Sequence, residues 1–191
     1  MIWQKRKKYS MIQNVTADVI KTTVKNVVCL LDGDLAEVGV SVGDSAEIIC
    51  KEKGNRTLYL FDTFAGHPKN KIGIYDIGQT PGKHAADLDD VKKRLNYPNV
   101  YLYKGVFPET SEAIKDKSFC FVNIDTDLYS GTYESLTFFV PRMVPGGVIL
   151  IHDFPGIAGV VCAVVDFFGK NKTWLKSREM LGGTNQCRLL F

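Results

Sequence analysis

Apolar and polar positions along this chain follow two rhythms, one of period near 3.6 and one of short continuous apolar runs. Residues 11–31, MIQNVTADVIKTTVKNVVCLL, place Val15, Val19, Val24, Val27 and Val28 at helical spacing. That spacing predicts an amphipathic helix despite its β-branched content. LAEVGV (35–40) reads as a strand, and GDSAEIICKEKG (43–54) as a helix that Asp44 or Ser45 is suited to cap and Gly54 to end. RTLYLFDT, NVYLYKG, SFCFVNID and GGVILIHD predict further strands. ADLDDVKKRL, PETSEAIKD, GTYESLTFFVPRM and AGVVCAVVDFFG predict helices, and two more strands are expected near residues 174–178 and 185–191. Residues 63–85 are rich in Gly, Pro, Lys and His and have little periodicity. A loop that long in a compact domain is usually functional or mobile.

Strand and helix alternate, and several strands are apolar on both faces. This predicts an α/β fold: a doubly wound, mostly parallel sheet with helices on both faces and an antiparallel C-terminal strand. A length of 191 residues suits one domain over 1–191, with 1–31 as a tail and helix that form a short lid. In such sheets ligands sit beyond the carboxyl ends of the strands, near the switch in strand order.

Charge and cysteine usage narrow the class. The net charge is +3, and much of it lies in QKRKK (4–8), which reads as a solvated terminus. Outside that head the basic run at 92–94 reads as a helix flank, so no nucleic-acid partner is expected. No stretch is apolar enough to span a bilayer, and the start lacks a secretory pattern, so no membrane partner is expected. Cys29, Cys50, Cys120, Cys162 and Cys187 are scattered, several within apolar runs. They read as small buried hydrophobes of a reducing compartment, and a cytoplasmic location is expected.

The chemistry lies at strand ends. EVGVSVGDS follows the order strand, Gly39, Gly43, helix, with Glu37 ahead of the glycines. Glycine lets a ligand approach the backbone, whereas Glu37 repels a diphosphate and favours a cationic or hydroxyl-rich ligand. The missing G-x-G-x-x-G disfavours a nicotinamide enzyme. Asp62 ends the second strand, well placed to accept from two ribose hydroxyls. Sugar hydroxyls without phosphates suit S-adenosylmethionine. Asp125 and Asp127 in FVNIDTDLYSGTYESL, and Asp153 in VPGGVILIHDF, end apolar strands where a buried carboxylate is costly unless a cation, proton or ligand meets it.

In order and spacing GDLAEVGVSVGDSA, LFDTFAGHP, KGVFPET, VNIDTDLYSGTYESL and PGGVILIHDF resemble the macrocin O-methyltransferase (TylF-like) family. Its members are metal-dependent class I S-adenosylmethionine enzymes that methylate sugar hydroxyls, and the match runs from about Gly33 to Phe168. The spacing E-x-G-x-x-x-G is also similar to that of catechol O-methyltransferases. The resemblance implies that Glu37, Gly39, Ser41, Gly43, Asp44 and Ser45 line the methionine end of the cofactor. Asp62 would hold the ribose, and Gly105 to Phe107 would lie near the adenine. Asp125, His152 and Asp153 would form a divalent metal site, for Mg²⁺ or Mn²⁺.

Where the family carries two adjacent aspartates, this chain has His152–Asp153. That change moves preference from Mg²⁺ towards Mn²⁺, Fe²⁺ or Zn²⁺, and leaves His152 as a ligand or a base. The segment ahead of LAEVGV is shorter than in relatives. Asp127 has three readings: ligand, base, or cap of the helix beginning near Ser130. Tyr129 reads as packing, Lys104 and Arg142 as solvated, and Glu109 as serving the first turn of a helix. His67 and His84 read as loop surface, unless the loop closes over the cleft. The expected activity is metal-assisted O-methylation of a sugar-like or vicinal-diol small molecule, by a chain that could form a homo-oligomer. The alternative is a cofactor-binding protein of the same fold with weak or no turnover.

Overall fold

The computed structural model describes residues 14–171 and 175–191, so the basic head, residues 11–13 of the first predicted helix and Trp174 lie outside the described residues. Strands β1 (Asp34–Val38), β2 (Leu58–Asp62), β3 (Val100–Lys104), β4 (Phe119–Ile124) and β5 (Met143–His152) run parallel. The pair β6 (Ser177–Leu181) and β7 (Gln186–Leu190) completes the sheet in the order β3-β2-β1-β4-β5-β7-β6. Strand β7 lies antiparallel between β5 and β6, as the C-terminal pattern predicts. The chain winds outward from β1 through β2 to β3, then returns to β4 on the other side. The switch point is therefore the β1–β4 seam.

Helices α1 (Asn14–Leu30), α2 (Asp44–Glu52), α3 (Leu88–Arg94), α4 (Tyr129–Phe139) and α5 (Ala158–Lys170) cover the two faces. Strand periodicity divides the core between them: Ile149 and Ile151 of β5 join the cluster under α4 and α5, while Val148 and Leu150 join the one under α1, α2 and α3.

Several local expectations are corrected. The buried stripe of α1 runs through Thr16, Ile20, Thr23, Val24 and Val27, leaving Val15 50% exposed. Threonines take core positions there because their methyls pack as valine would. Gly43 precedes α2 in a left-handed conformation with no side-chain cap, and Asp44 turns instead to Arg94 Nη1 at 2.7 Å. PETSEAIKD is too short to nucleate an α-helix and keeps only a 3₁₀ turn at Glu112–Ile114, which leaves Glu109 ahead of it. Arg142 is not freely solvated: it donates to Lys115 O and Phe138 O at 2.9 and 2.6 Å and covers the Phe138 ring. Cys50, Cys120 and Cys187 are buried, but Cys29 is exposed and Cys162 half-buried on helix surfaces.

The loop at 63–85 is docked. Its neck is closed by His67 N donating to Lys83 O and Gly82 N donating to His67 O, both at 3.0 Å. Asp76, 4% exposed, accepts from Gly73 N and from Tyr129 N, each at 2.7 Å. Lys71 reaches Glu134 of α4 at 2.9 Å, and Ser130 Oγ donates to Lys71 O. The first turn of α4 thus finds its acceptor in Asp76 of the loop, and the capping role considered for Asp127 is not realised.

Candidate active site

A cavity of about 560 Å³ opens over the switch point, at the carboxyl ends of β1, β2, β4 and β5. That volume falls within the usual range for small-molecule sites. Gly39, Ser41, Asp44, Ser45, Asp62, Gly105, Phe107, Asp125, His152 and Asp153 all line it. Glu37 and Gly43 do not. Thr16 of α1, His67, His84 and Asp127 also line it.

Glu37 lies beneath the floor, fully buried. Its Oε1 accepts from Ser45 Oγ at 2.5 Å and from Asn123 Nδ2 at 2.7 Å, while Oε2 has no partner among the described residues. Burial pushes its carboxyl up to about 8, against the lowering effect of those two donors. Glu37 therefore ties β1 to β4 and α2 as a largely protonated scaffold group.

Gly39 (φ 91) is required for a close approach of a different kind from the one its sequence suggests. A Cβ there would stand 1.8 Å from the carbonyl oxygen of Asp125. The absent side chain thus brings the end of β4 against the end of β1, which sets Asp125 beside the β1–α2 turn. Asp62 is likewise committed to the protein: Oδ2 accepts from Val40 N and Ser41 N at 2.7 Å, and Oδ1 from Phe64 N at 2.6 Å. A carboxylate offers about four lone-pair positions, so one remains for a ligand hydroxyl.

The other half of the cavity is built differently. His152 Nδ1 lies 3.0 Å from Asp153 Oδ2 and 3.4 Å from Asp125 Oδ1, yet it makes no well-aligned hydrogen bond. One ligand atom from each of these residues falls within 4.8 Å of the others. Burial raises the Asp125 carboxyl to about 6, opposed by His152 and reinforced by Asp153. Burial disfavours a charged imidazole, but Asp153 and Asp125 outweigh it and hold His152 up to about 9. A divalent cation could bind this set, which supplies two oxygens and one nitrogen within 4.8 Å of one another.

Asp127 (φ 59) and Asp153 (φ 57) both adopt left-handed backbone conformations, which turn their carboxyls into the cavity. Asp127 Oδ2 lies 3.4 Å from His67 Nε2 and 3.2 Å from His84 Nε2. Burial, then Asp125 and a hydrogen bond with Asp153, raise the Asp127 carboxyl, while the neighbouring His152 and that same bond hold Asp153 low against its burial. Tyr129, by contrast, points away, donating to Asp166 Oδ2 at 2.8 Å and stacking on Tyr133. The two loop histidines carry no ligand-like spacing in the sequence; only the backbone pairing at the loop neck brings them together.

A family model described as macrocin O-methyltransferase (TylF) matches residues 3–177. The chain belongs to that family. This TylF-family chain is 26% identical over 154 residues to the 8-demethyl-8-(2,3-dimethoxy-alpha-L-rhamnosyl)-tetracenomycin-C 4'-O-methyltransferase of Streptomyces olivaceus, covering 72% of this chain and 59% of that protein. It is 24% identical over 164 residues to the demethyldecarbamoylnovobiocin O-methyltransferase of Streptomyces niveus, covering 78% of this chain and 60% of that protein. The chain thus spans about six-tenths of the length of these curated relatives. Among solved structures, the O-methyltransferase NovP aligns with a TM-score of 0.72 at 20% identity, over 91% of this chain and 78% of that one. A calicheamicin methyltransferase aligns with a TM-score of 0.73 at 19% identity, over 93% and 77%. At such identities the likeness concerns the fold, which is that of the class I O-methyltransferases. Among the described residues of the TylF-family chain, no helix is long and apolar enough to cross a membrane.

Proposed function

We propose that this chain carries out S-adenosylmethionine-dependent O-methylation of a small sugar-like or vicinal-diol molecule, assisted by a divalent cation. The observation that carries the reading is the convergence of Asp125, His152 and Asp153 from the ends of β4 and β5, across one cavity from Asp62. Family membership supports the reaction class, and both curated relatives are named as O-methyltransferases.

Methyl transfer from a sulfonium forms an oxygen–carbon bond while the sulfur–carbon bond breaks, so it needs alignment and a partly deprotonated acceptor. Gly39, Ser41, Asp44 and Ser45 would face the amino-acid end of the donor, with Glu37 and Gly43 shaping that wall from behind. Asp62 would take a ribose hydroxyl on its remaining lone pair, and Gly105 with Phe107 would border the adenine. Asp125, His152 and Asp153 would hold the cation, which when bound lowers the pKa of a coordinated hydroxyl and fixes its direction. Asp127, recessed in the same wall with raised proton affinity, takes the hydroxyl proton. In this reading one domain spans the chain, with α1 helping to cover the cavity through Thr16.

The test is methyl transfer by dialysed protein to a panel of glycosides and vicinal diols. Turnover should vanish in EDTA and return with Mn²⁺. Undiminished turnover in EDTA sinks the metal part. Tight binding of S-adenosylmethionine with neither product nor metal affinity favours the non-catalytic alternative.

A further inference from the structure

The chain has three histidines, and all three line the one cavity although they lie at positions 67, 84 and 152. His152 belongs to the Asp125–Asp153 group. The other two belong to a second constellation, which touches the first through a hydrogen bond between Asp127 and Asp153. His67 Nε2, His84 Nε2 and Asp127 Oδ2 lie within 4.8 Å of one another. Both nitrogens approach the same carboxylate oxygen, at 3.4 and 3.2 Å, near or beyond the long limit for hydrogen bonds. His67 is 9% exposed, and its Nδ1 has no hydrogen-bond partner among the described residues. Two imidazole nitrogens and a carboxylate oxygen this close together can serve as a ligand set.

The convergence is held from outside. The neck pairing of residues 67 and 82–83 fixes both histidines, and Gly66 lets those strands touch, since a Cβ on it would meet Gly82 at 2.4 Å. His84 itself sits at φ 64 and Asp127 at φ 59, so two of the three ligands are presented by strained backbone. Burial lowers the proton affinity of both imidazoles, helped at His67 by His84 and at both by Lys83, which favours the neutral form that binds metal.

We propose that His67, His84 and Asp127 form a second divalent-cation site, distinct from the Asp125–His152–Asp153 group and selective for borderline transition metals such as Zn²⁺ or Co²⁺. The selectivity follows from the donors. Two imidazole nitrogens and one carboxylate oxygen suit such ions, whereas the first group, with two oxygens and one nitrogen, is the harder of the two. Binding at this site does not depend on the function proposed above.

The test counts Co²⁺ bound to the full chain, without donor or acceptor, by equilibrium dialysis and elemental analysis. The expected result is two equivalents for the wild type and one each for His84→Ala and His152→Ala. His84 is one-third exposed, so its loss is compatible with folding, which thermal melting verifies. The visible spectrum of the Co²⁺ retained by His152→Ala should disappear when His84→Ala is added. A single equivalent in the wild type, or two retained by His84→Ala, overturns the second site. If His152→Ala keeps both equivalents while His84→Ala loses one, the second site stands and the first cation site fails.

Discussion

The two walls of the cavity solve the same electrostatic problem in opposite ways. On the β1–β2 side each acid has been answered by the protein: Asp62 by three backbone N–H groups, Glu37 by Ser45 and Asn123. On the β4–β5 side no backbone N–H comes to Asp125, Asp127 or Asp153 from the hydrogen bonds of the described residues, and these acids face histidines and one another. The first wall is nearly closed, with Glu37 Oε2 and one Asp62 lone pair left over, and its acids build shape. The second is left electrostatically incomplete, which is the condition for taking up a cation or a proton. An acid at a strand end is therefore not a functional residue by position alone; what answers it decides.

The sharpest way to break this contrast is to remove a group from the incomplete wall. Asp125→Asn should lower turnover by about a hundredfold or more, the scale seen when one preorganised electrostatic group is lost, while the melting temperature holds or rises. A variant that keeps wild-type turnover would put Asp125 among the scaffold groups. The next largest effect concerns the contact that joins the walls. Gly39→Ala places a methyl against the Asp125 carbonyl at positive φ, and we expect destabilisation of about 2 kcal/mol or more, read by denaturant unfolding.

Glu37 offers a pH test of the first wall. Its folded-state value, about 8, lies above its ordinary 4.5, so the folded protein holds the extra proton between those limits. Its contribution to stability is full below about 4.5 and is lost as pH rises through about 8. Melting temperature should therefore fall less steeply with pH across that window in Glu37→Gln than in the wild type. Equal slopes would mean the acid is charged in the fold. The smallest effect is expected at Tyr129→Phe, which removes the bond to Asp166 outside the cavity. Stability should drop by about 1 kcal/mol or less with turnover unchanged, and a loss of turnover would draw Tyr129 into the site.

The architecture was legible because it is written locally. Continuous apolar runs such as FCFVNI and VILI mark strands buried on both faces, and their acidic ends mark the cavity rim. The residues that fill the rim were partly legible: Asp125, His152 and Asp153 do converge. What sequence could not show is how each acid is answered, because that depends on contacts between distant segments. Asp62 and Asp125 look alike on the page, and only the backbone amides of Val40, Ser41 and Phe64 separate them. The histidines were illegible for the same reason. Sixteen residues of largely irregular chain lie between 67 and 84, and nothing periodic relates the two. Asp127 resisted for a different cause: a left-handed residue beyond a strand end breaks the alternation from which its direction would be read.

One small tie has a consequence for traffic into the cavity. The loop that carries His67 and His84 also supplies, through Asp76, the acceptor for the first amide of α4. Swinging that flap outward on a hinge would strip the helix of its acceptor and leave a buried carboxylate stranded. The loop's root is thereby braced against hinge-like opening, while Lys83 stands at the cavity's edge.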